Sequence, residues 1–181
     1  MSTTTDKALG AEVREKHAKH LFPSVANYYK EPLVLTEGKG MRVKDAGGRS
    51  YLDFFGGILT VSVGHANDRV NAALKAQIDR LGHVSTLYPT IPIVDLAEKL
   101  ARITPGKLEK CFFTASGTEA DETAVALAQV YTGRTELIAL RHGYSGRSML
   151  AQSLTAHSPW RALPTQVAVM RGEAWTRSKQ R

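Results

Sequence analysis

Residues 111–128 read CFFTASGTEADETAVALA. A short apolar run stops at three small residues, Ala115, Ser116 and Gly117, and an alanine-rich stretch then runs to Thr132. The spacing predicts a strand over 110–114, a helix over 118–132 and a second strand over 137–140, with Gly133 at the helix C-terminus. Strand, helix and strand joined by short loops are the signature of a mostly parallel sheet, so this stretch sets the fold class as α/β.

The turn between the first strand and its helix has two readings. The first turn of a helix leaves backbone N–H groups unpaired and carries partial positive charge, so it can hold an anion such as a phosphate. Gly117 lets the backbone approach closely, and Ser116 and Thr118 add hydroxyls. The other reading is a plain N-cap, because Ser116 and Glu119 have the S-x-x-E spacing of a capping box. The local residues weigh equally for both. No Lys follows the glycine, and G-x-G-x-x-G is absent, so neither a Walker loop nor a dinucleotide fingerprint is present.

The second predicted strand leads into ALRHGYSGRS, residues 139–148. Parallel strands place their C-terminal ends along one sheet edge, where ligands bind. Tyr144 and Gly146 are therefore expected near Gly117 and Thr118. Tyr144 could stack on a flat heterocycle or simply pack in the interior.

Upstream, a polar helix is expected from Asp6 to Leu21. His17 and His20 share one face of it, without an evident third metal ligand. Short strands follow at 33–36, 41–44 and 50–54, separated by Gly38, Gly40 and the pair Gly47 and Gly48. Gly56 and Gly57 interrupt an apolar run and imply a bend. A helix over 69–81, capped by Asn67 or Asp68, carries Val70, Leu74, Ile78 and Leu81 on one face. Another, over 93–103, carries Leu96, Leu100 and Ile103, and ends before Pro105.

A chain of 181 residues can bury a core without disulfides. Its one cysteine, Cys111, lies in an apolar run, reads as buried and points to a reducing compartment. The net charge is +7 and the pI about 9.6. The basic residues are scattered and not interleaved with aromatics, which speaks against nucleic acid. No stretch reaches the ~20 apolar residues of a membrane span. Asp6, Glu12 and Glu15 argue against a transit peptide, so a cytoplasmic protein is expected.

The set YLDFFGGI…VGH, SGTEADETAVALAQVYTGR and HGYSGRS resembles, in order and spacing, the first half of class III aminotransferases. The likeness runs over about residues 32–163. It implies a fold type I enzyme using pyridoxal 5′-phosphate: an N-terminal helix and small β hairpin segment over 1–60, the first part of a mostly parallel sheet domain over 61–168, and a non-family tail over 169–181. It implies that Ser116, Gly117 and Thr118 meet the cofactor phosphate, that Tyr144 lies against the pyridine ring, and that residues 56–59 and Tyr88 line a substrate pocket. Many members have His where this chain has Ser145. The implied reaction moves an amino group from an amine or amino acid to a 2-oxo acid, in a homodimer. The family's Schiff-base Lys and its Asp partner of the ring nitrogen lie further downstream than Arg181. No catalytic residue is assigned, and the chain is expected to be a truncated, inactive fragment; the alternative is a cofactor-binding or non-enzymatic piece.

Overall fold

The computed structural model describes residues 4–23, 27, 29–157, 160, 161 and 169–172, in two compact units, Met1–Tyr88 and Pro89–Arg181.

The first unit opens with helix α1, Thr4–His20, whose last turn holds His17, Lys19 and His20, where cations suit the helix dipole. Lys16 and Glu12 pair one turn apart, and Arg14 reaches Glu31 at 2.9 Å. Strands β1 (Leu35–Lys39), β2 (Arg42–Asp45) and β3 (Ser50–Leu52) form an antiparallel sheet in that order. Lys39 opposes Arg42 across the first turn, and Val43 opposes Tyr51 in the second pair. The β2–β3 turn is organised by Asp45. Its carboxylate accepts from the amides of Gly47 and Arg49 at 2.9 Å and from the Tyr51 hydroxyl at 2.7 Å. Val43 and Ala46 are buried, and α1 closes on Ala46 at Gly10, itself buried.

After β3 the chain makes α2, Gly56–Leu59. It is not an ordinary helix. The φ angles of Gly56, Gly57, Ile58 and Leu59 are 54°, 61°, 61° and 63°, one turn of left-handed helix. Left-handed helix costs an L-residue about 1–2 kcal/mol, and a β-branched residue fares worst. Helix α3, Asp68–Arg80, follows, with the Asn67 side chain accepting from the amides of Arg69 and Val70.

In the second unit α4 spans Ile91–Ile103 and α5 spans Gly117–Thr132. Gly133 ends α5 with φ 67°, the left-handed cap that glycine adopts without strain. Strand β4 (Leu137–Leu140), helix α6 (Met149–Leu154) and strand β5 (Val169–Gly172) complete it, with β4 and β5 paired in parallel, Leu137 opposite Val169. Ala139, Ala151, Ser153 and Thr155 are buried here. Thr155 is fully buried and satisfied. Its hydroxyl donates to the Ala151 carbonyl at 2.9 Å and accepts from the Ser145 amide at 3.1 Å.

Three expectations need correction. Residues 110–114 are not a strand. A ladder needs a neighbour, and among the described residues none pairs with this segment, so the run stays extended and irregular. For the same reason Cys111 is exposed rather than buried, as are Phe112 and Phe113. The parallel pair lies one step later, β4 with β5, so regular structure enters the segment read as a tail. The stripe residues Val70, Leu74 and Ile78 of α3, and Leu96 and Ile103 of α4, are placed on helices as expected but stay exposed. Residues 173–181 lie outside the described residues.

Candidate cofactor-phosphate site

The turn that opens α5 realises the capping box. The Ser116 hydroxyl oxygen accepts from the Glu119 amide at 3.2 Å, and the Glu119 carboxylate accepts from the Ala115 amide at 2.8 Å. The same carboxylate accepts from the Ser116 hydroxyl at 3.3 Å. Ser116 and Glu119 thus occupy each other, leaving the first-turn amides of Gly117 and Thr118. Neither donates to an acceptor among the described residues. A side chain added at Gly117 would meet nothing within 4 Å, so the Cβ side of this turn is open. The cap and the anion cradle are therefore compatible: one uses the Glu119 and Ala115 amides, the other the two that remain.

The loop after β4 lies against this turn. Gly146 (φ 126°) passes so close to α5 that a Cβ there would stand 2.1 Å from Thr118 Oγ1. The Arg147 amide donates to that oxygen at 3.3 Å, and the Ser148 hydroxyl donates to Glu122 one turn along α5. The loop is thus clipped to the helix at two points. Ser148 also caps α6, accepting from Ala151 N at 3.1 Å. Tyr144, two residues before Gly146, is about half exposed, and its ring meets Trp160 edge-on at 6.4 Å and 80°. Ser145 points its amide to Thr155, which fixes the loop from the other side.

Of the expected site residues, Ser116, Gly117, Thr118 and Tyr144 fall within one compact unit, with Thr118 in direct contact with the Tyr144 loop. Tyr88 belongs to the first unit. It is exposed, and its amide closes a turn on Ser85. Sequence reasoning missed Arg147, Ser148, Glu122, Thr155 and Trp160. Ser148 carried a usable signal, a hydroxyl three residues before Ala151 at a helix start; the Glu122 contact bridges 26 residues and carried none.

The fold and sequence have clear relatives. A family model, aminotransferase class-III, matches residues 24–170. Human alanine–glyoxylate aminotransferase 2, mitochondrial, is 42% identical over 143 residues, 79% of this chain and 28% of that one. Acetylornithine aminotransferase of Archaeoglobus fulgidus is 39% identical over 147 residues, 81% of this chain and 38% of that one. Among solved structures, an (S)-enantioselective omega-transaminase from Thermomicrobium roseum superposes with TM-score 0.79 at 33% identity, over 91% of this chain and 40% of that one. The taurine:2-oxoglutarate aminotransferase of Bifidobacterium kashiwanohense, solved with PLP and glutamate, has TM-score 0.78 at 20% identity and supports the fold alone. This chain spans about 28–38% of the length of such curated relatives. The architecture is α/β: an N-terminal helix and small antiparallel sheet, then the first part of a fold type I sheet domain.

Proposed function

Since the chain belongs to the class-III aminotransferase family, we propose that it carries the phosphate-binding end of a pyridoxal 5′-phosphate site. The amides of Gly117 and Thr118 hold the phosphate, and Tyr144 covers the ring. The observation that carries this reading is the pair of first-turn amides, Gly117 and Thr118, without an acceptor among the described residues, beside open space at the Gly117 Cβ position. The Thr118 hydroxyl accepts from Arg147 and keeps its own proton to donate. Ser116 contributes by holding the turn rather than by a free hydroxyl. When bound, the cofactor supplies an electron sink for amino-group chemistry. The chain's residues bind and orient it.

The reaction proposed for the intact enzyme is transfer of an amino group from an amine or amino acid to a 2-oxo acid, in a cytoplasmic homodimer. Tyr88 and residues 56–59 are proposed to face the substrate. Among the described residues no helix is long and apolar enough to cross a membrane. A second reading, a cofactor-binding piece without turnover of its own, is supported by the chain's spanning 28% of the length of its human relative. Turnover by the purified chain with an amine and a 2-oxo acid would exclude the second reading, and none is expected.

Binding itself is tested with pyridoxine 5′-phosphate, which has no aldehyde and cannot modify lysines, against pyridoxine. Trp160 emission reports it in a Trp175→Phe background, because the Trp160 ring touches Tyr144. Charge-assisted hydrogen bonds contribute about 1.5–3 kcal/mol each, so the phosphate form should bind at least about tenfold tighter. Equal affinity for the two compounds would refute the phosphate site.

A further inference from the structure

Among the described residues, packing does not explain the left-handed turn α2. Its two L-residues gain little from burial, since Ile58 is 69% and Leu59 83% exposed. It is nonetheless hydrogen-bonded as a helix: Leu59 N donates to Phe55 O at 3.1 Å, and Thr60 N and Val61 N both donate to Gly56 O at 2.9 Å. Something must hold the entry of the turn, and one side chain does. Asp53 Oδ1 accepts from the amides of Phe55 and Gly56 at 2.9 Å each, the two donors that precede the first left-handed peptide.

The other oxygen of that carboxylate is anchored elsewhere. Asp53 Oδ2 and His65 Nε2 are hydrogen-bonded at 2.7 Å, and both side chains are largely shielded. His65 is fixed in turn by the end of the β1–β2 hairpin. Gly40 N donates to His65 O at 2.9 Å and His65 N donates to Gly40 O at 2.8 Å. Its ring lies over Gly38 so closely that a Cβ there would sit 2.9 Å from Cγ. Gly64 (φ 85°) comes within 3.1 Å of the Gly40 Cα on the same measure. Lys39 secures the next residues, donating to Ala66 O at 2.9 Å and pairing with Asp68.

We propose that Asp53 and His65 form a latch that clamps residues 56–59 in the left-handed state against the rigid hairpin and so fixes the directions of Ile58 and Leu59. Strained backbone persists only where its surroundings over-determine it. Here the alternative is a relaxed turn in which those two side chains swing away. The latch requires no cofactor, so it stands or falls separately from the phosphate site.

The test is amide hydrogen exchange on the full chain, with rates corrected for intrinsic exchange, at Leu59, Thr60 and Val61. Asp53→Ala should raise exchange there at least tenfold while amides within the β2–β3 pairing stay unchanged. Ile58→Gly should slow it several-fold, the reverse of what glycine does at an ordinary exposed helix position, because glycine carries no left-handed penalty. The double variant should return to within about threefold of wild type, since an unstrained turn needs no clamp. Unchanged exchange in Asp53→Ala, or faster exchange in Ile58→Gly, would overturn the proposal. If Asp53→Ala does not fold, Ile58→Gly alone decides by its sign.

Discussion

Single residues in this chain are tied by carboxylates that each serve several donors. Asp45 accepts from the Tyr51 hydroxyl and from two backbone amides, and the Tyr51 bond, followed by that from Arg49 N, holds its pKa below the usual 3.8. Asp53 is lowered likewise, first by His65, then by the Gly56 and Phe55 amides. The sign follows from linkage. A carboxyl lowered on folding stabilises the fold above its unfolded value, about 3.9, and that contribution is lost as pH falls through the lower folded value. Acid unfolding should therefore steepen only below about pH 4. In Asp45→Asn the stability at neutral pH should fall and the slope of stability below pH 4 should become shallower. Circular dichroism during acid titration reads both, and an unaltered slope would remove Asp45 from the account.

At the scale of elements, the caps are local and were legible. Asn67 and Ser116 start their helices, and Gly133 ends one with φ 67° and nothing within 4 Å of an added Cβ. Gly133→Ala should thus cost about 1 kcal/mol through backbone strain alone, measured by chemical denaturation. A zero or stabilising effect would mean that α5 ends differently. What stayed illegible was non-local. The apolar run at 110–114 has strand composition, but a strand exists only as part of a ladder, and the pairing that forms is between residues 137–140 and 169–172. Cys111 was misjudged by the same reasoning, since its burial depends on a sheet around it. The double glycine at 56 and 57 announced a bend. That the left-handed path continues through Ile58 and Leu59 depends on Asp53 meeting His65 twelve residues later, which no local pattern encodes. Within the candidate site, the Ser116–Glu119 capping box was readable from its spacing, whereas the Ser148–Glu122 clip was not.

At the scale of the molecule, many large apolar side chains are exposed. Among the described residues the buried apolar side chains are Val43, Ala46, Ala139 and Ala151, while the apolar faces of α3 and α4 and the extended run at Phe112 stand open. Contiguous exposed apolar faces and unpaired backbone favour association. Size-exclusion chromatography of the purified chain should therefore show mixed oligomers whose size rises with concentration. A sharp, concentration-independent monomer peak would contradict it.

The central claim is that open amides at the start of α5 hold a phosphate, and Gly117→Asp tests it most directly. The new side chain enters space that is empty, at a helix N-terminus where an acidic group is favourable, so thermal stability should hold or rise. The same carboxylate would occupy and repel the anion's place. The account predicts that calorimetry with pyridoxine 5′-phosphate detects binding to the wild-type chain and a loss of at least about tenfold in the variant, with an undiminished melting temperature. Unchanged affinity in a folded variant would contradict it.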